Sequence, residues 1–266
     1  MKTPPAAGAQ AKFARLRQLL AEGPSLAVAC SGGVDSTFLL YAAVKALPPD
    51  RVSAWHCRSA LASSAALAGC RQIFGLEVFA QIRRVELVVD PFTWEGFAEN
   101  HENRCYICKK GMYQALQNTL RDGFQLADGT NLDDLSQHRP GLRALRELRV
   151  LTPLVDAGLT KEEIRQLAED AGLPNHHWPA DSCLATRIVQ GSLITPDTLS
   201  CIEKAEEFVK ARGFFGCRVR LSGSVAVVEL AAADISRFAE EANRNKVLEY
   251  FRSLAIDLVH LNLSGR

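Results

Sequence analysis

Short apolar runs alternate with longer stretches of helical spacing over the first two thirds of the chain. The helical stretches have apolar residues every three or four positions, and TKEEIRQLAEDAG (160–172) adds a capping box, Thr160 with Glu163. The apolar runs predict four strands: SLAVAC (25–30), RVSAWHC (51–57), a part of EVFAQIRRVEL (77–87) and FQLADGT (124–130). Strands that alternate with helices indicate an α/β fold, in which helices cover both faces of a parallel sheet.

A different order of elements is predicted after residue 190. A helix capped by Thr195, with Pro196 in its first turn, precedes two strands in CRVRLSGSVAVVEL, which are joined by a hairpin turn at Ser222-Gly223. A long helix over 231–253 and a strand in DLVHLNL complete this part. We therefore predict two domains: an α/β domain over 1–190 and a small α+β domain over 191–266.

The overall charge and the distribution of apolar residues exclude several classes of protein. The net charge of the 266 residues is +1, so no strong basic field gathers nucleic acid. No run is long and apolar enough to span a bilayer, and the N-terminal segment lacks the uninterrupted apolar stretch of a signal peptide. We expect a cytoplasmic protein whose eight cysteines stay reduced, as ligands, nucleophiles or core residues.

The segment ACSGGVDST lies where the first predicted strand ends and a helix begins. Gly32 and Gly33 can turn backbone amide groups toward an anion, and the hydroxyl groups of Ser31, Ser36 and Thr37 lie beside the positive end of the helix dipole. The segment lacks the Gly-Lys-Ser/Thr ending of a Walker A loop. It predicts a phosphate site at the carboxyl edge of the sheet, and the alternative is a plain glycine-rich turn.

A second polar loop, DGTNLDDLSQHRPG (128–141), follows the fourth predicted strand and therefore lies at the same edge. Its carboxylates could hold Mg²⁺ or orient ribose hydroxyl groups: Asp128, Asp133 and Asp134. Arg139 offers a bidentate fork to a phosphate, and Lys109 and Lys110, at the start of a predicted helix, could also reach one. The alternatives are a loop of turn-forming residues and a solvated helix start.

Three cysteines have polar neighbours in the sequence. Cys105 and Cys108 form the Cys-x-x-Cys pair of NRCYICKK, and Cys183 lies in PADSCLATRI, close to Arg187, where the two predicted domains join. A buried apolar cysteine is the alternative for Cys183. Its polar neighbours and its place between domains argue against that alternative.

Two further arginines, Arg218 and Arg220, lie two positions apart on a predicted strand, and hence on one face of it. Together with Arg187 they could bind the phosphate of a substrate. The alternative is an exposed, charged face of the strand.

The SGGVDS loop after an apolar strand resembles the pyrophosphate loop of the ATP pyrophosphatase (PP-loop) superfamily. The resemblance implies a Rossmann-like domain that binds ATP with Mg²⁺, cleaves it between the α- and β-phosphates and attaches AMP to a carbonyl or carboxylate oxygen. It also implies that five residues of the loop hold the pyrophosphate: Ser31, Gly32, Gly33, Asp35 and Ser36. The other expected ATP-binding residues are in the second loop: Asp128, Thr130, Asn131 and Arg139.

NRCYICKK, the DGTN-x-DD…RPG loop and SCLATRI, in this order, resemble the LarE family, the sulfur-insertion enzymes of nickel-pincer nucleotide cofactor synthesis; the similarity extends from about Phe13 to Leu263. The resemblance implies a pyridinium dicarboxylate mononucleotide substrate, whose carboxylates are adenylated and converted to thiocarboxylates. Some members give up the sulfur of a single cysteine, whereas others have three cysteines that hold a [4Fe-4S] cluster.

The three-cysteine type of this family implies a set of functional residues and partners. The implied cluster ligands are Cys105, Cys108 and Cys183. The residues that we expect to be catalytic are Cys183, Asp35 and Lys109. Sulfide or another sulfur donor is the expected partner beside the nucleotide substrate, and we expect the chain to form a homo-oligomer.

The number of ligands distinguishes the possible metal sites. Three thiolates leave one iron of a cubane cluster without a protein ligand, and that iron can carry a sulfide. A zinc site would require a fourth ligand, which His176 or His177 could supply. A thioredoxin-like redox pair is disfavoured, because Cys105 and Cys108 do not follow the first strand of a βαβ pattern.

Two other functions are consistent with parts of this pattern. A PP-loop tRNA thiolase would need a basic surface for RNA, which the net charge of +1 does not favour. A non-catalytic nucleotide-binding sensor would leave the acidic loop, the cysteines and Arg187 without a joint purpose. The chain departs from the family pattern at Gln137, where an acid is expected, and at Val189-Gln190, where Pro-Tyr is usual.

Overall fold

Four parallel strands form a central sheet in the computed structural model, which describes residues 7–136, 140–179 and 182–266. The strands are β1 (Ser25–Ala29), β2 (Val52–Arg58), β3 (Arg83–Val88) and β4 (Phe124–Asp128). Each neighbouring pair of this sheet is parallel, and the register places Leu26 beside both Val52 and Gln125. The strands lie in the predicted apolar runs, and the predicted α/β class is confirmed.

Helices pack on both faces of this sheet because successive residues of β1 point in opposite directions. Leu26 and Val28 belong to one core, with Phe38 at its centre, whereas Ala27 belongs to a second core with Trp55. The helices of this part are α1 (Ala7–Glu22), α2 (Val34–Ala46), α3 (Ser64–Phe74), α4 (Arg104–Gln117), α5 (Gly141–Glu147), α6 (Pro153–Asp156) and α7 (Lys161–Asp170). The predicted capping box is present at the start of α7.

The strand order places the ends of β1 and β4 side by side. The order is β3-β2-β1-β4, so the chain leaves β1 toward β2 on one side, while β4 lies on the other side. In an open parallel sheet, the crevice at such a switch point, outside the carboxyl ends of the strands, is where ligands bind. Both predicted loops, after β1 and after β4, begin at this crevice.

A smaller mixed sheet forms the second compact unit of the chain. Its strands are β5 (Arg218–Ser222), β6 (Val225–Glu229) and β7 (Leu258–Leu261); β5 and β6 form the predicted hairpin, and β7 runs parallel to β6. Its helices are α8 (Pro196–Lys210), α9 (Ile235–Ala239) and α10 (Glu241–Ser253). Thr195 caps α8 by accepting a hydrogen bond from the amide of Thr198.

Contacts within the chain divide it into two units at positions that differ from the predicted boundary. The first unit contains the described residues of 7–59, 64–95 and 103–179, and the second contains 60–63, 96–102 and 182–266. The boundary predicted at residue 190 lies inside the second unit, and as a boundary between folding domains it stays a prediction. In the part of the chain that the structure describes, no helix has both the length and the apolar character needed to cross a membrane.

The single long helix predicted over 231–253 is wrong. A 3-10 turn (Ala232–Asp234), α9 and α10 replace it, and Glu240 is extended between the two helices, with φ −55° and ψ 142°. Phe238 packs edge-to-face on Phe214, and Val247 is also buried. In an unbroken helix these two residues, nine positions apart, would point about 180° away from each other. The break therefore allows both to be buried.

Candidate functional site

The loop between β1 and α2 is held closed by hydrogen bonds of its own. Ser36 Oγ accepts from the amide of Ser31 at 3.2 Å and donates to the carbonyl of Gly33 at 3.1 Å. Gly32 has φ +83°, and a Cβ atom there would lie 3.0 Å from Cys70 Cα, so only glycine fits. The closed shape of the predicted anion loop is therefore supported by its own hydrogen bonds and by Gly32.

The loop that follows β4 touches this anion loop through its backbone. A Cβ atom added to Gly129 would lie 2.6 Å from the amide nitrogen of Ser36. Asn131 Oδ1 accepts from the amides of Asp133 and Asp134 at 3.0 and 3.2 Å, and Asp134 Oδ2 accepts from the amide of Asn131 at 3.1 Å. The structure thus brings the two predicted loops together at the carboxyl edge of the sheet.

Asp128 organises the second loop with both of its carboxylate oxygens. Oδ1 accepts from the amide of Thr130 at 2.7 Å and from the Thr130 hydroxyl, while Oδ2 accepts from the Tyr113 hydroxyl and lies 3.3 Å from Lys109 Nζ. Burial acts to raise the pKa of Asp128, but Lys109 and these hydrogen bonds lower it below its ordinary value. Asp128 is therefore a charged anchor, to which Lys109 and Tyr113 attach α4.

Lys161, the first residue of α7, brings a second cation to the loops. Its ammonium group forms an ion pair with Asp35 Oδ2, and its amide donates to Asp133 Oδ2 at 2.8 Å. Burial, aided by the nearby charge of Asp134, raises the pKa of Asp35, although Lys161 opposes the shift. Asp35 Oδ1 is buried and has no hydrogen-bond donor among the described residues. It is an acceptor that a bound cation or water could use.

Sequence reasoning missed Lys161, Tyr113 and Asn175, all of which contact these loops. A signal for Lys161 was present, because a cation in the first turn of a helix opposes the helix dipole and needs another reason to be there. Tyr113 and Asn175 carry no such signal. Arg139 and Gln137, which were predicted to matter in the second loop, lie outside the described residues.

Cys105 and Cys108 are the second and fifth residues of α4. Three positions apart on a helix, they share one face, and Cys105 is exposed whereas Cys108 is half-buried. Arg104 Nη2 lies 3.6 Å from Cys105 Sγ. Neither unit, over the residues described in it, contains a group of three His, Cys, Asp or Glu side chains arranged to hold a metal. Because Cys183 belongs to the other unit, the three-cysteine set stays a prediction.

Cys183 lies at the start of a 3-10 turn (Leu184–Arg187) in the second unit, and Arg187 holds that turn. The carbonyl of Cys183 accepts from Thr186 Oγ1 at 2.8 Å and from Arg187 Nη1 at 3.0 Å. Arg187 also donates to Ser182 Oγ at 2.8 Å and to Glu206 Oε1 at 2.9 Å. Its side chain is only 3% exposed. The observed role of Arg187 is to shape the cysteine loop, and its predicted contact with phosphate stays a prediction.

The other two predicted arginines lie beside the same loop. Arg218 Nη1 donates to Ser182 Oγ at 2.6 Å, and Arg220 Nη1 donates to the carbonyl of Thr186 at 2.8 Å. Arg220 is also paired with Glu229, at 2.6 Å, and 42% of its side chain is exposed. The structure therefore brings together Cys183 and all three arginines that the sequence singled out. Val189 and Gln190, the departures from the family pattern, are exposed directly after this loop.

The comparisons with known proteins connect this arrangement to a family. No family model matches the chain. The uncharacterized protein slr1717 of Synechocystis is 30% identical over 258 residues, which are 96% of this chain and 95% of that protein. The pyridinium-3,5-bisthiocarboxylic acid mononucleotide synthase of Lactiplantibacillus plantarum, a LarE protein, is 29% identical over 256 residues, 96% of this chain and 91% of the synthase. The chain belongs to the LarE family.

A further relative of the LarE-family chain matches over a shorter region. The uncharacterized protein MJ0830 of Methanocaldococcus jannaschii is 31% identical over 167 residues, which are 62% of this chain and 64% of that protein. The two longer alignments extend over both compact units. Family membership confirms the resemblance that the three motifs suggested.

Asp128 is expected to stabilise the fold in a pH-dependent way. Its folded-state pKa lies below the ordinary 3.8, so its contribution is present above the unfolded-state pKa and is lost as the pH falls through the folded-state pKa. We expect Asp128→Asn to lower the free energy of unfolding at pH 7 by about 1–3 kcal/mol. The difference from wild type should shrink below about pH 4. Urea titrations at pH 7 and at stepwise lower pH measure it, and a constant difference would contradict the expectation.

Arg187 should contribute far more to stability than Arg220 does. Arg187→Met removes the guanidinium partner of the buried Glu206 and leaves it paired with Lys210, so we expect a loss of about 1.5–3 kcal/mol. Arg220→Met removes the same charge from a partly exposed pair and should cost about 0–1 kcal/mol. Denaturant unfolding of both variants tests the contrast. Equal losses would mean that the buried pair is not what holds the cysteine loop.

Proposed function

We propose that this LarE-family protein is an ATP-dependent sulfurtransferase. Its substrate is pyridinium-3,5-dicarboxylate mononucleotide, whose carboxylates are adenylated and converted to thiocarboxylates. The observation that carries the proposal is the backbone contact of the two loops at the switch point of the sheet, with Lys109 and Lys161 beside them. The name of the L. plantarum relative supports the choice of substrate.

The nucleotide site is assembled from residues of the first unit. Amide and hydroxyl groups of 31–36 bind the pyrophosphate part of ATP, as preformed donors at a helix N-terminus do. Lys109 and Lys161 stabilise the negative charge that develops on the leaving pyrophosphate. Asp35 fits the Mg²⁺ that accompanies ATP, because its Oδ1 is a buried acceptor without a donor in the described chain. Thr130 and Asn131 orient the nucleoside.

The reaction has two steps in which all atoms are accounted for. A substrate carboxylate oxygen attacks the α-phosphorus of ATP, the bond to the β-phosphate oxygen breaks, and pyrophosphate leaves. A sulfide then attacks the acyl carbon of the adenylate, which releases AMP and one proton and leaves a thiocarboxylate. The first step needs the charges around the anion loop, and the second needs a sulfur donor and the exclusion of competing water.

In this proposal, the first unit supplies two thiolate ligands of an iron–sulfur cluster, Cys105 and Cys108. Cys105 and Cys108 share one helical face at the N-terminus of α4, where the helix dipole and Arg104 favour a negatively charged group. Cys183, in the second unit, is the third ligand that the family implies. When bound by three thiolates, a [4Fe-4S] cluster supplies an iron site that can carry sulfide.

The phosphate of the substrate is assigned to the arginine-lined cysteine loop of the second unit. Arg218, Arg220 and Arg187 all donate to groups of 182–186, so their guanidinium groups are fixed close to Cys183. Arg220 has the exposed fork that a phosphate can approach. A substrate phosphate bound by these arginines would hold the substrate close to Cys183.

Lys109 and Lys161 should be needed for the ATP step, whereas Lys110 should not. We expect Lys109→Met and Lys161→Met each to reduce kcat/KM for pyrophosphate release by about 10²–10³-fold, since each removes a charge that stabilises the leaving group. Lys110→Met is the matched control from the same helix, because Lys110 is paired with Glu147. A coupled phosphate assay measures release. Normal release from both lysine variants would contradict the roles assigned to Lys109 and Lys161, whereas no release from the wild-type protein would favour a non-catalytic sensor.

The three cysteines should be needed for sulfur insertion and not for adenylation. Replacement of Cys105, Cys108 or Cys183 by Ala should remove bound iron from anaerobically reconstituted protein while pyrophosphate release persists. Cys201→Ala, which changes a half-buried cysteine of α8, is the control. Iron and sulfide counts with product analysis by mass spectrometry measure this. Conversion of Cys183 to dehydroalanine after one turnover would instead identify that cysteine as the sulfur source.

A further inference from the structure

A buried asparagine far along the chain contacts the anion loop from behind. Asn175 is 0% exposed, and its Nδ2 donates to the carbonyl of Gly32 at 2.8 Å and to Thr37 Oγ1 at 2.9 Å. These partners are 143 and 138 residues away in the sequence. The amide orientation follows from the network, since the carbonyl of Gly32 can only accept.

The contact with Gly32 fixes one of two possible peptide orientations in the loop. Glycine is permissive in φ, so the Gly32-Gly33 peptide could rotate without a steric penalty from a side chain. A rotated peptide would turn a carbonyl oxygen toward a bound anion, where it would repel phosphate oxygens. Asn175 Nδ2 holds the carbonyl of Gly32, and the amide of Gly33 donates to Ser31 Oγ at 3.4 Å, so rotation of this peptide would break both hydrogen bonds.

Asn175 is not explained by the stability of the fold alone. Its Oδ1 is buried and has no donor within the described residues. A buried polar atom without a partner destabilises the folded state, and an apolar side chain of similar size would avoid that cost. The amide of Asn175 therefore has a role in the anion loop, whose Gly32 carbonyl it contacts.

The segment around Asn175 is fixed to the first unit at two further points. Arg165 donates to the carbonyls of His176 and Trp178 at 2.6 and 2.9 Å. The ring of Trp178 covers Gly69, where a Cβ atom would lie 2.9 Å from it. Asn175 is therefore presented to the loop by a rigid support. Cys183 follows eight residues later in the chain.

We propose that Asn175 is the positioning residue of the anion loop, which it keeps in the orientation that binds the pyrophosphate part of ATP. The proposal rests on the proposed function, because it assigns the loop to ATP. Asn175 does not touch the nucleotide. It acts through Gly32, so its loss should affect ligands that carry a pyrophosphate group and spare ligands that lack one.

Calorimetric titrations with Mg²⁺ and α,β-methylene-ATP, and separately with AMP, test this proposal. Asn175→Asp removes the donor and places a carboxylate against the carbonyl of Gly32. We expect it to weaken binding of the ATP analogue about tenfold or more, which corresponds to the loss of a buried hydrogen bond. The affinity for AMP should change less than about threefold. Asn175→Ala should give the same contrast and carries the test if the aspartate variant fails to fold.

Two control variants separate positioning from a general loss of stability. Asn100→Asp changes another fully buried asparagine, whose Nδ2 donates to the carbonyl of Val189 at 2.8 Å in the second unit, and should leave both affinities unchanged. Thr37→Val leaves the hydrogen bond between Asn175 and Gly32 in place, so it should weaken binding of the analogue less than Asn175→Ala does. Equal weakening of the analogue and AMP, or wild-type affinity in Asn175→Ala, would overturn the proposal. If wild-type protein does not bind the analogue, the proposed function itself fails.

Discussion

The close approach of Gly129 to the amide of Ser36 is the constraint on which the candidate site depends. The backbones of the two loops meet at this point, which brings both loops within reach of one ligand, and any side chain at position 129 would force them apart. The strand order supplies the neighbourhood, since β1 and β4 are adjacent although the chain between them forms two other strands. Because Gly129 has no Cβ atom, the two neighbouring loops can come into backbone contact.

Charge is balanced in pairs around the two loops. Lys109 faces Asp128 and Lys161 faces Asp35, so each cation near the anion loop is oriented by a largely buried carboxylate. Paired in this way, the lysines are fixed in place and their positive charge is largely balanced. The same principle recurs in the second unit, where Glu206 accepts from Arg187 beside the cysteine loop.

Periodicity and motif spacing were sufficient to predict the sheet and the two loops, and the family resemblance supported a joint role of Arg187, Arg218 and Arg220. They fail where a residue acts through a partner distant in sequence. Tyr113 and Asn175 are identical in pattern to ordinary core and turn residues, because their function depends on Asp128 and Gly32. The break at Glu240 was missed for a similar reason, since helical spacing on each side is intact and only the direction of burial changes. The buried contact of Arg187 with Glu206 was missed as well, because the two residues are 19 positions apart.

Helix α4 fixes the distance between its thiols and Asp128, where the second loop begins. Cys105, Lys109 and Tyr113 are four residues apart in turn, so they follow one face of the helix, and the last two are attached to Asp128. The distance from Cys105 to Tyr113 along the axis is about 12 Å. One inserted or deleted residue between them would rotate the thiols by about 100° relative to Asp128. The number of residues between Cys105 and Tyr113 therefore determines on which side of α4 the thiol of Cys105 lies when Lys109 and Tyr113 contact Asp128.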